Sequence, residues 1–156
     1  MKKLFKISIT PILMMVFTMV SCSKDDTAGT PGGGGGGGGT VKGTAQFSIN
    51  GTSFVADSVN ASTSAKAIAI YKDQASTTDN KLLYITLSSF AVGSYALSST
   101  TPNVIKYTLG GTVLFTSESG TVNITSNTGT VLNGNYNAIM NGGTAFTGTF
   151  SNVAIR

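Results

Sequence analysis

The stretch from Leu132 to Phe150, LNGNYNAIMNGGTAFTGTF, decides the fold class of this chain. Even-numbered positions of its first half carry apolar side chains, which would share one face of an extended strand: Leu132, Tyr136, Ala138 and Met140. Asn141-Gly142-Gly143 supplies turn residues, and Phe146 and Phe150 continue the alternation beyond them. The stretch therefore predicts two antiparallel strands joined by a tight turn.

The same alternation runs through residues 43–156, where turn residues recur at intervals of about ten. No segment there shows a sustained helical period of apolar residues. We expect one all-β domain over 43–156, an antiparallel meander of about nine strands forming a β-sandwich. A closed or flattened β-barrel is the alternative.

Residue types predict several turns of this domain. Asn50-Gly51 and Gly110-Gly111 each separate two alternating segments and predict two-residue hairpin turns. The segment Phe54 to Val59 reads as the strand returning from the first of these turns. Glu118-Ser119-Gly120 reads as a further turn, and Asn60 to Ala65 as a polar connection.

The last strand changes phase along its length. Phe146 and Phe150 occupy even positions, whereas Val153 and Ile155 occupy odd ones. Because a one-residue slip moves every following side chain to the other face of a sheet, we predict a β-bulge near Ser151-Asn152.

Residues 1–21 have the pattern of a secretory signal peptide. Three lysines (Lys2, Lys3, Lys6) precede a mostly apolar run from Ile7 to Val20. That run is shorter than the roughly 20 residues of a membrane-spanning helix.

The tetrapeptide Met19-Val20-Ser21-Cys22 resembles a bacterial lipobox. The resemblance implies cleavage before Cys22 and acylation there with diacylglyceryl and a further fatty-acid chain such as palmitate, hence a membrane anchor. Ser23-Lys24-Asp25-Asp26 resembles the surface-export signal of Bacteroidota lipoproteins, which implies an outer-membrane protein facing the cell exterior. An ordinary signal peptide and a merely solvated linker remain the alternatives.

Residues 22–42 read as the lipidated cysteine followed by a disordered tether. Eight consecutive glycines, Gly32 to Gly39, leave the segment without an apolar cluster. A phosphate-binding loop is excluded because no Lys-Ser/Thr pair follows the glycines. Asp26-Thr27-Ala28 fits a short O-glycosylation motif, which makes Thr27 a candidate modification site.

The number and distribution of charged residues argue against nucleic acid as a partner. The chain has ten basic and six acidic residues, and Lys2, Lys3 and Lys6 belong to the segment expected to be removed. The remaining lysines are scattered singly rather than clustered on one face.

Residue types also limit catalysis. The chain has no histidine, and its one cysteine is Cys22, so Ser-His-Asp and Cys-His sites, thiolate or imidazole zinc sites and intrachain disulfides are excluded in the domain. The only acids of the 43–156 domain are Asp57, Asp73, Asp79 and Glu118. We expect no catalytic residue, metal ligand or cofactor; calcium held by Asp73, Asp79 and Asn80, and a carboxylate-based hydrolase, stay as weaker alternatives.

Two tyrosines are candidates for ligand contact. Tyr71 and Tyr84 are out of phase with the apolar residues of their predicted strands, so both would lie on the second face of the sheet. Aromatic rings there could stack on a sugar ring, or could simply cover that face.

Five glycine-containing segments carry a family resemblance: Phe47 to Gly51, Gly93 to Tyr95, Gly120 to Thr125, Leu132 to Tyr136 and Gly148 to Val153. They resemble an uncharacterised domain family of Bacteroidota lipoproteins. The resemblance implies a β-sandwich-like domain behind a lipobox, with no established activity. We therefore expect a lipid-anchored, surface-exposed, non-enzymatic protein of structural or adhesive type, whose partners are the membrane and the lipoprotein-processing and export machinery. A glycan- or small-ligand-binding module is the alternative, with a glycan or a protein as the ligand.

Overall fold

A computed structural model describes residues 43–99 and 102–156 of the chain. The signal peptide 1–21, the lipidation site Cys22, the export signal from Ser23 to Asp26, Thr27 and the rest of the 22–42 tether lie outside the described residues. Their predictions stand as made from the sequence.

The described part of the chain consists of strands and the turns between them. Ten strands follow in order: β1 (Thr44–Ile49), β2 (Thr52–Val55), β3 (Ser58–Ser62), β4 (Ala67–Lys72), β5 (Lys81–Thr86), β6 (Gly93–Ala96), β7 (Val104–Leu109), β8 (Thr112–Asn127), β9 (Val131–Met140) and β10 (Ala145–Ala154). Within residues 43–99 and 102–156, no helix is long and apolar enough to cross a bilayer.

The strands form one curled sheet in the order β2-β1-β10-β9-β8-β7-β5-β4-β3, and β6 pairs with the second half of β8. Every strand pair is antiparallel, and one isolated parallel bridge joins Ala61 to Ile155. The predicted all-β antiparallel fold is confirmed.

The concave face of the sheet holds the apolar core. Alternating residues of the strands bury their side chains completely or almost so, as the even positions of β9 and β10 were expected to do. Three aromatic rings contact one another at this core, of which Phe115 is only partly buried: Tyr107 lies 5.3 Å from Phe146, and Phe115 lies 6.0 Å from Phe146, between ring centroids.

Three strand pairs depart from a simple meander. β1 pairs with the last strand, β10; β5 pairs with β7 rather than β6; and β6 pairs with β8. The predicted returning strand from Phe54 to Val59 is also broken, since β2 ends at Val55 and β3 begins at Ser58. The break has a local cause, because the Asp57 carboxylate accepts hydrogen bonds from the Lys72 ammonium and the Asp73 N–H.

Two turn predictions were wrong. Glu118-Ser119-Gly120 lies inside β8, where the pairing with β9 shifts between Ser117 and Ser119, so these residues form a bulge instead of a chain reversal. Asn60 to Ala65 is a connection only in its second half, because β3 continues to Ser62 and pairs with β4. Polar composition misled here because strands on a solvated face carry polar side chains too.

The hairpin and bulge predictions are confirmed. Asn50 and Gly51 have φ of 48° and 86°, and Gly110 and Gly111 have 56° and 82°, the left-handed pairs that a type I′ turn requires. The β10–β9 register shifts between Phe150 and Val153, and Asn152 has φ of 53°.

Candidate functional site

A cleft of about 300 Å³ opens where β2, β1 and β10 lie side by side. Apart from Tyr136, its hydrogen-bonding side chains belong to two serines, two threonines and a glutamine: Ser48, Ser53, Thr147, Thr149 and Gln46. Phe47, Tyr136 and Gly148 complete the lining. No charged residue contributes to it.

Strand register places the polar side chains together. Ser48 lies opposite both Ser53 on β2 and Thr147 on β10, and Gln46 lies opposite Thr149. Residues directly opposite each other in an antiparallel pair share one face of the sheet. These side chains therefore occupy the convex face, while their neighbour Phe47 is buried in the core.

The polar rows continue beyond the cleft. Thr147 is opposite Asn137 on β9, which is opposite Thr121 on β8; Thr149 is opposite Asn135, which is opposite Asn123. We call this surface the neutral face and define it by Gln46, Ser48, Ser53, Thr121, Asn123, Asn135, Asn137, Thr147 and Thr149. Within it the Asn123 amide donates to Asn135 Oδ1 over 2.9 Å. All of its hydrogen-bonding side chains are uncharged.

Gly148 is the one residue of the cleft without a side chain, and aromatic rings flank it. It lies opposite Phe47 on β1 and opposite Tyr136 on β9. A Cβ at this position would collide with the Tyr136 hydroxyl and ring and with the Gln46 carbonyl oxygen. Glycine is therefore what allows the Tyr136 ring to lie across β10.

The Tyr136 hydroxyl is buried without a partner. The residue is 3 % exposed, and its oxygen has no hydrogen bond to any atom of the described residues. Burial raises the pKa of this phenol above its ordinary value, so the group stays protonated and can both donate and accept. The hydroxyl lies on the core side of β10, because Tyr136 and Gly148 are in phase with the buried residues of their strands, whereas the polar side chains of the cleft lie on the convex face.

A second polar group is an ion cluster at the end of β4 and β5. Lys72 Nζ lies 2.9 Å from Asp57 Oδ1 and 3.5 Å from Asp73 Oδ1, and Lys81 Nζ lies 2.9 Å from Asp73 Oδ2. The Asp73 N–H also donates to Asp57 Oδ2 over 2.6 Å. The cluster ties the β2–β3 bend to the β4–β5 loop.

These contacts shift the pKa of all four groups toward the charged form. The Lys72 hydrogen bond and then the Asp73 N–H lower the pKa of Asp57, and the Lys81 hydrogen bond lowers that of Asp73. The same two aspartates raise the pKa of Lys72 and Lys81. Both carboxyls are thus held as carboxylates at neutral pH.

In the loop that offered the calcium alternative, a lysine ammonium binds the oxygens. Lys81 Nζ contacts both Asp73 Oδ2 and, at 3.0 Å, the Asp79 carbonyl oxygen. An ammonium thus takes two of the oxygens that a cation would need. In the part of the chain that the structure describes, no three acidic, histidine or cysteine side chains are grouped to hold a metal ion.

The two sequence-predicted tyrosines lie on another part of the sheet. Tyr71 on β4 is opposite Leu82, and Tyr84 on β5 is opposite Ala69, so both are on the convex face as expected. Each is half-buried. They do not join the cleft, and their role in ligand binding stays a prediction.

Sequence reasoning missed the cleft because residue types did not show that β1 lies beside β10. A signal was present: Gly134 and Gly148 stand at core-phase positions of two strands, where glycine marks a close approach of another group. The partner of Gly148 depends on strand register, which residue types alone do not supply.

Comparison with known proteins adds nothing to this geometry. No family model, curated protein or solved structure matches the chain.

Proposed function

We propose that this chain is a lipoprotein, anchored through acyl chains on Cys22 and facing the cell exterior, whose β-domain acts without catalysis as an adhesive or structural surface. The observation that carries the proposal is the neutral face. Hydroxyl and amide groups lie there in rows across β2, β1, β10, β9 and β8. Neighbouring strands space such groups about 4.8 Å apart.

A face of this chemistry suits contact with an uncharged, hydrated partner. Each side chain offers hydrogen bonds of modest net strength, about 1 kcal/mol, so many must act together. Because the face carries no charge, contact with it needs no opposite charge on the partner and depends little on salt.

The ion cluster argues against the hydrolase alternative. A carboxylate-based glycosidase needs one carboxyl with a raised pKa to donate a proton. Asp57 and Asp73 are the acids brought together here, and hydrogen bonds from lysines lower the pKa of both. Their arrangement fits a structural link between two loops.

The anchor rests on the amino-terminal sequence. Met19-Val20-Ser21-Cys22 offers a thiol where a lipobox requires one, behind a short apolar run. Each CH₂ of an acyl chain buried in the bilayer contributes about 0.8 kcal/mol of binding free energy, so two or more acyl chains give durable attachment. The resemblance to Bacteroidota surface lipoproteins supports the same location.

Fractionation of cells that express the full chain tests the anchor. We expect the protein in the outer-membrane fraction and its Cys22→Ser variant in the soluble periplasmic fraction. Ser21→Ala, a small-for-small change beside the cysteine, is the control and should stay in the membrane. Membrane retention of Cys22→Ser would refute the anchor.

Protease treatment of intact cells tests the orientation. The unaltered protein should be degraded from outside. A variant with Asp25→Ala and Asp26→Ala should stay in the membrane fraction but be protected, whereas Asp57→Ala, within the domain, should leave export unchanged. Equal degradation of the Asp25/Asp26 variant would show that the acidic pair does not direct export.

A further inference from the structure

We propose that a strip of aromatic and aliphatic side chains on β4, β5, β7 and the start of β8 rests on the surface of the bilayer to which the chain is anchored. We call this surface the tyrosine strip and define it by Tyr71, Leu82, Tyr84, Lys106, Thr108 and Val113. The contact rests on the proposed anchor at Cys22, and it gives the anchored domain an orientation at the membrane.

Strand register places these side chains next to one another. Tyr71 lies opposite Leu82 on β5, and Leu82 lies opposite Thr108 on β7. Thr108 in turn lies opposite Val113 on β8. Tyr84 is two residues from Leu82 on the same strand. Residues opposite each other in an antiparallel pair share a face of the sheet, and so do residues two apart on one strand, so all five lie on the convex face.

The strip leaves apolar surface in contact with solvent. Val113 is 54 % exposed, and its neighbour Leu114, which the β7–β8 register skips, is 43 % exposed. Tyr71, Leu82 and Tyr84 are each half-buried. Tyrosine suits a membrane–water interface, because its ring is apolar and its hydroxyl stays hydrated. A bilayer surface would thus cover the aliphatic side chains while the phenol groups keep their contact with water.

The one charge of the strip is positive. Lys106 lies opposite Tyr84 and is exposed. Among the described residues it takes part in no ion pair, and the four acids of the domain lie outside the strip. A lysine beside aromatic rings can lay its methylene groups on an apolar surface and extend its ammonium to an anionic lipid headgroup.

The chain that precedes the domain favours a bilayer as the partner. In the anchored protein residues 23–42 separate Cys22 from Gly43, and a Gly-rich linker of that length spans about 25 Å. Gly43 lies against Val59 of β3, and β3 pairs with β4, which carries Tyr71. Groups joined by a short flexible linker meet at an effective concentration of about a millimolar. A contact too weak to hold a free domain can therefore hold a tethered one.

This contact would turn the neutral face away from the bilayer. The ends of the curled sheet meet, since Ala61 on β3 and Ile155, just after β10, form a parallel bridge. β5 lies in the middle of the strip and β10 in the middle of the neutral face. They are separated by β9, β8 and β7 in one direction and by β3 and β4 in the other. The two faces therefore point in roughly opposite directions, and docking of the strip presents the neutral face to the cell exterior.

Tryptophan reporters test the contact, because the chain has no tryptophan of its own. The chain from Cys22 to Arg156, which contains every described residue, is coupled through its only thiol to a maleimide-bearing lipid in vesicles of phosphatidylcholine and phosphatidylglycerol. Tyr84→Trp reports on the strip, and Asn135→Trp, at a half-buried position of the neutral face, is the matched control. Coupling supplies the anchor chemically, so failure of docking is read here and failure of the natural anchor in the fractionation of Cys22→Ser.

On the vesicles, the emission of the Tyr84→Trp reporter should shift to the blue and be quenched by lipids brominated near the headgroup. The Asn135→Trp reporter should keep its emission and be quenched only by iodide in solution. Unchanged emission of the first reporter on vesicles, or lipid quenching of the second instead, overturns the proposal. A blue shift that grows with protein concentration without vesicles, and that vesicles do not increase, would show that the strip joins two copies of the chain and would overturn it too.

Second-site changes in the Tyr84→Trp reporter test individual side chains. Val113→Glu should abolish the lipid quenching, because it places a carboxylate in the contact, and its exposed position lets the domain accept the change. Thr147→Glu, on the neutral face, should leave the quenching unchanged. Lys106→Gln should remove the gain in quenching that phosphatidylglycerol gives over phosphatidylcholine alone. Quenching that survives Val113→Glu, or an equal loss in Thr147→Glu, would contradict the strip as the contact surface.

Discussion

Gly148 lies directly opposite Tyr136 across the β9–β10 ladder, and the tyrosine occupies the space where a side chain at 148 would stand. Two residues further along β10 the arrangement is reversed, since Phe150 lies opposite Gly134, where a Cβ would meet its ring. Each strand thus gives one glycine and one aromatic residue. The two pairs let large rings lie flat on neighbouring strands in the core.

Gly148→Ala should destabilise the domain by about 1–3 kcal/mol, the usual cost of overpacking a core. The added methyl group meets the Tyr136 hydroxyl and the Gln46 carbonyl oxygen, and the backbone oxygen cannot move without disturbing the β1–β10 ladder. Urea denaturation measures the change, with Thr147→Ala, an exposed neighbour, as the control.

A double-mutant cycle shows whether the tyrosine causes the effect. Tyr136→Phe removes the hydroxyl, one of the three colliding atoms, so alanine at 148 should cost less in its presence. Additive free energies of unfolding for the two changes would contradict the steric explanation.

Ser117→Ala should destabilise the domain by about 1–3 kcal/mol, because it leaves a buried donor unpaired. Ser117 is fully buried, and its Oγ accepts a hydrogen bond from the Ile105 N–H over 3.0 Å. The β7–β8 ladder ends at Lys106 and Thr116, so a side chain replaces the backbone acceptor there. Ser119→Ala, exposed on the same strand, should change the free energy of unfolding little; equal effects would contradict this role.

Asn152 should tolerate glycine but not a β-branched residue. Its φ of 53° is left-handed, where L side chains cost about 1–2 kcal/mol and asparagine is among the exceptions. Its N–H donates to Asn133 Oδ1 over 2.7 Å. Asn152→Val should therefore lower Tm, whereas Asn152→Gly should leave it within a degree or two, about the effect of a few tenths of a kcal/mol. Similar Tm values for both variants would contradict the bulge as the source of strain.

These residues show what the sequence could and could not predict. The bulge at Asn152 was predictable because the core side chains change parity around it, from Phe150 to Val153. The bulge at Glu118 was not, because Gly120 and its polar neighbours have the composition of a turn. A bulge and a turn differ in what the flanking strands pair with, and that pairing depends on residues far along the chain.

For the candidate site too, the sequence predicted which face a side chain lies on but not which residues it contacts. Alternation correctly placed Tyr71 and Tyr84 on the convex face and Tyr136 in the core. It could not show that Tyr136 meets Gly148, because that contact needs the β9–β10 register. Nor could it show that Lys72 and Lys81 bind Asp57 and Asp73, which come together only when two loops meet.

Stability should be level near neutral pH and fall at both extremes, in part because of the ion cluster. The pKa of Asp57 and Asp73 is lower in the folded protein, so their contribution is complete above the ordinary aspartate pKa and is lost as pH falls through the folded values. The pKa of Lys72 and Lys81 is raised, so their contribution is complete below the ordinary lysine pKa and is lost as pH rises through the folded values.

Tm measured from pH 2 to 12 should show both losses. A variant with Lys72→Met and Lys81→Met should lose less stability at each end, while Lys106→Met on β7 should keep the original profile. A steep acid loss that persists unchanged in the double variant would show that other carboxyls govern it.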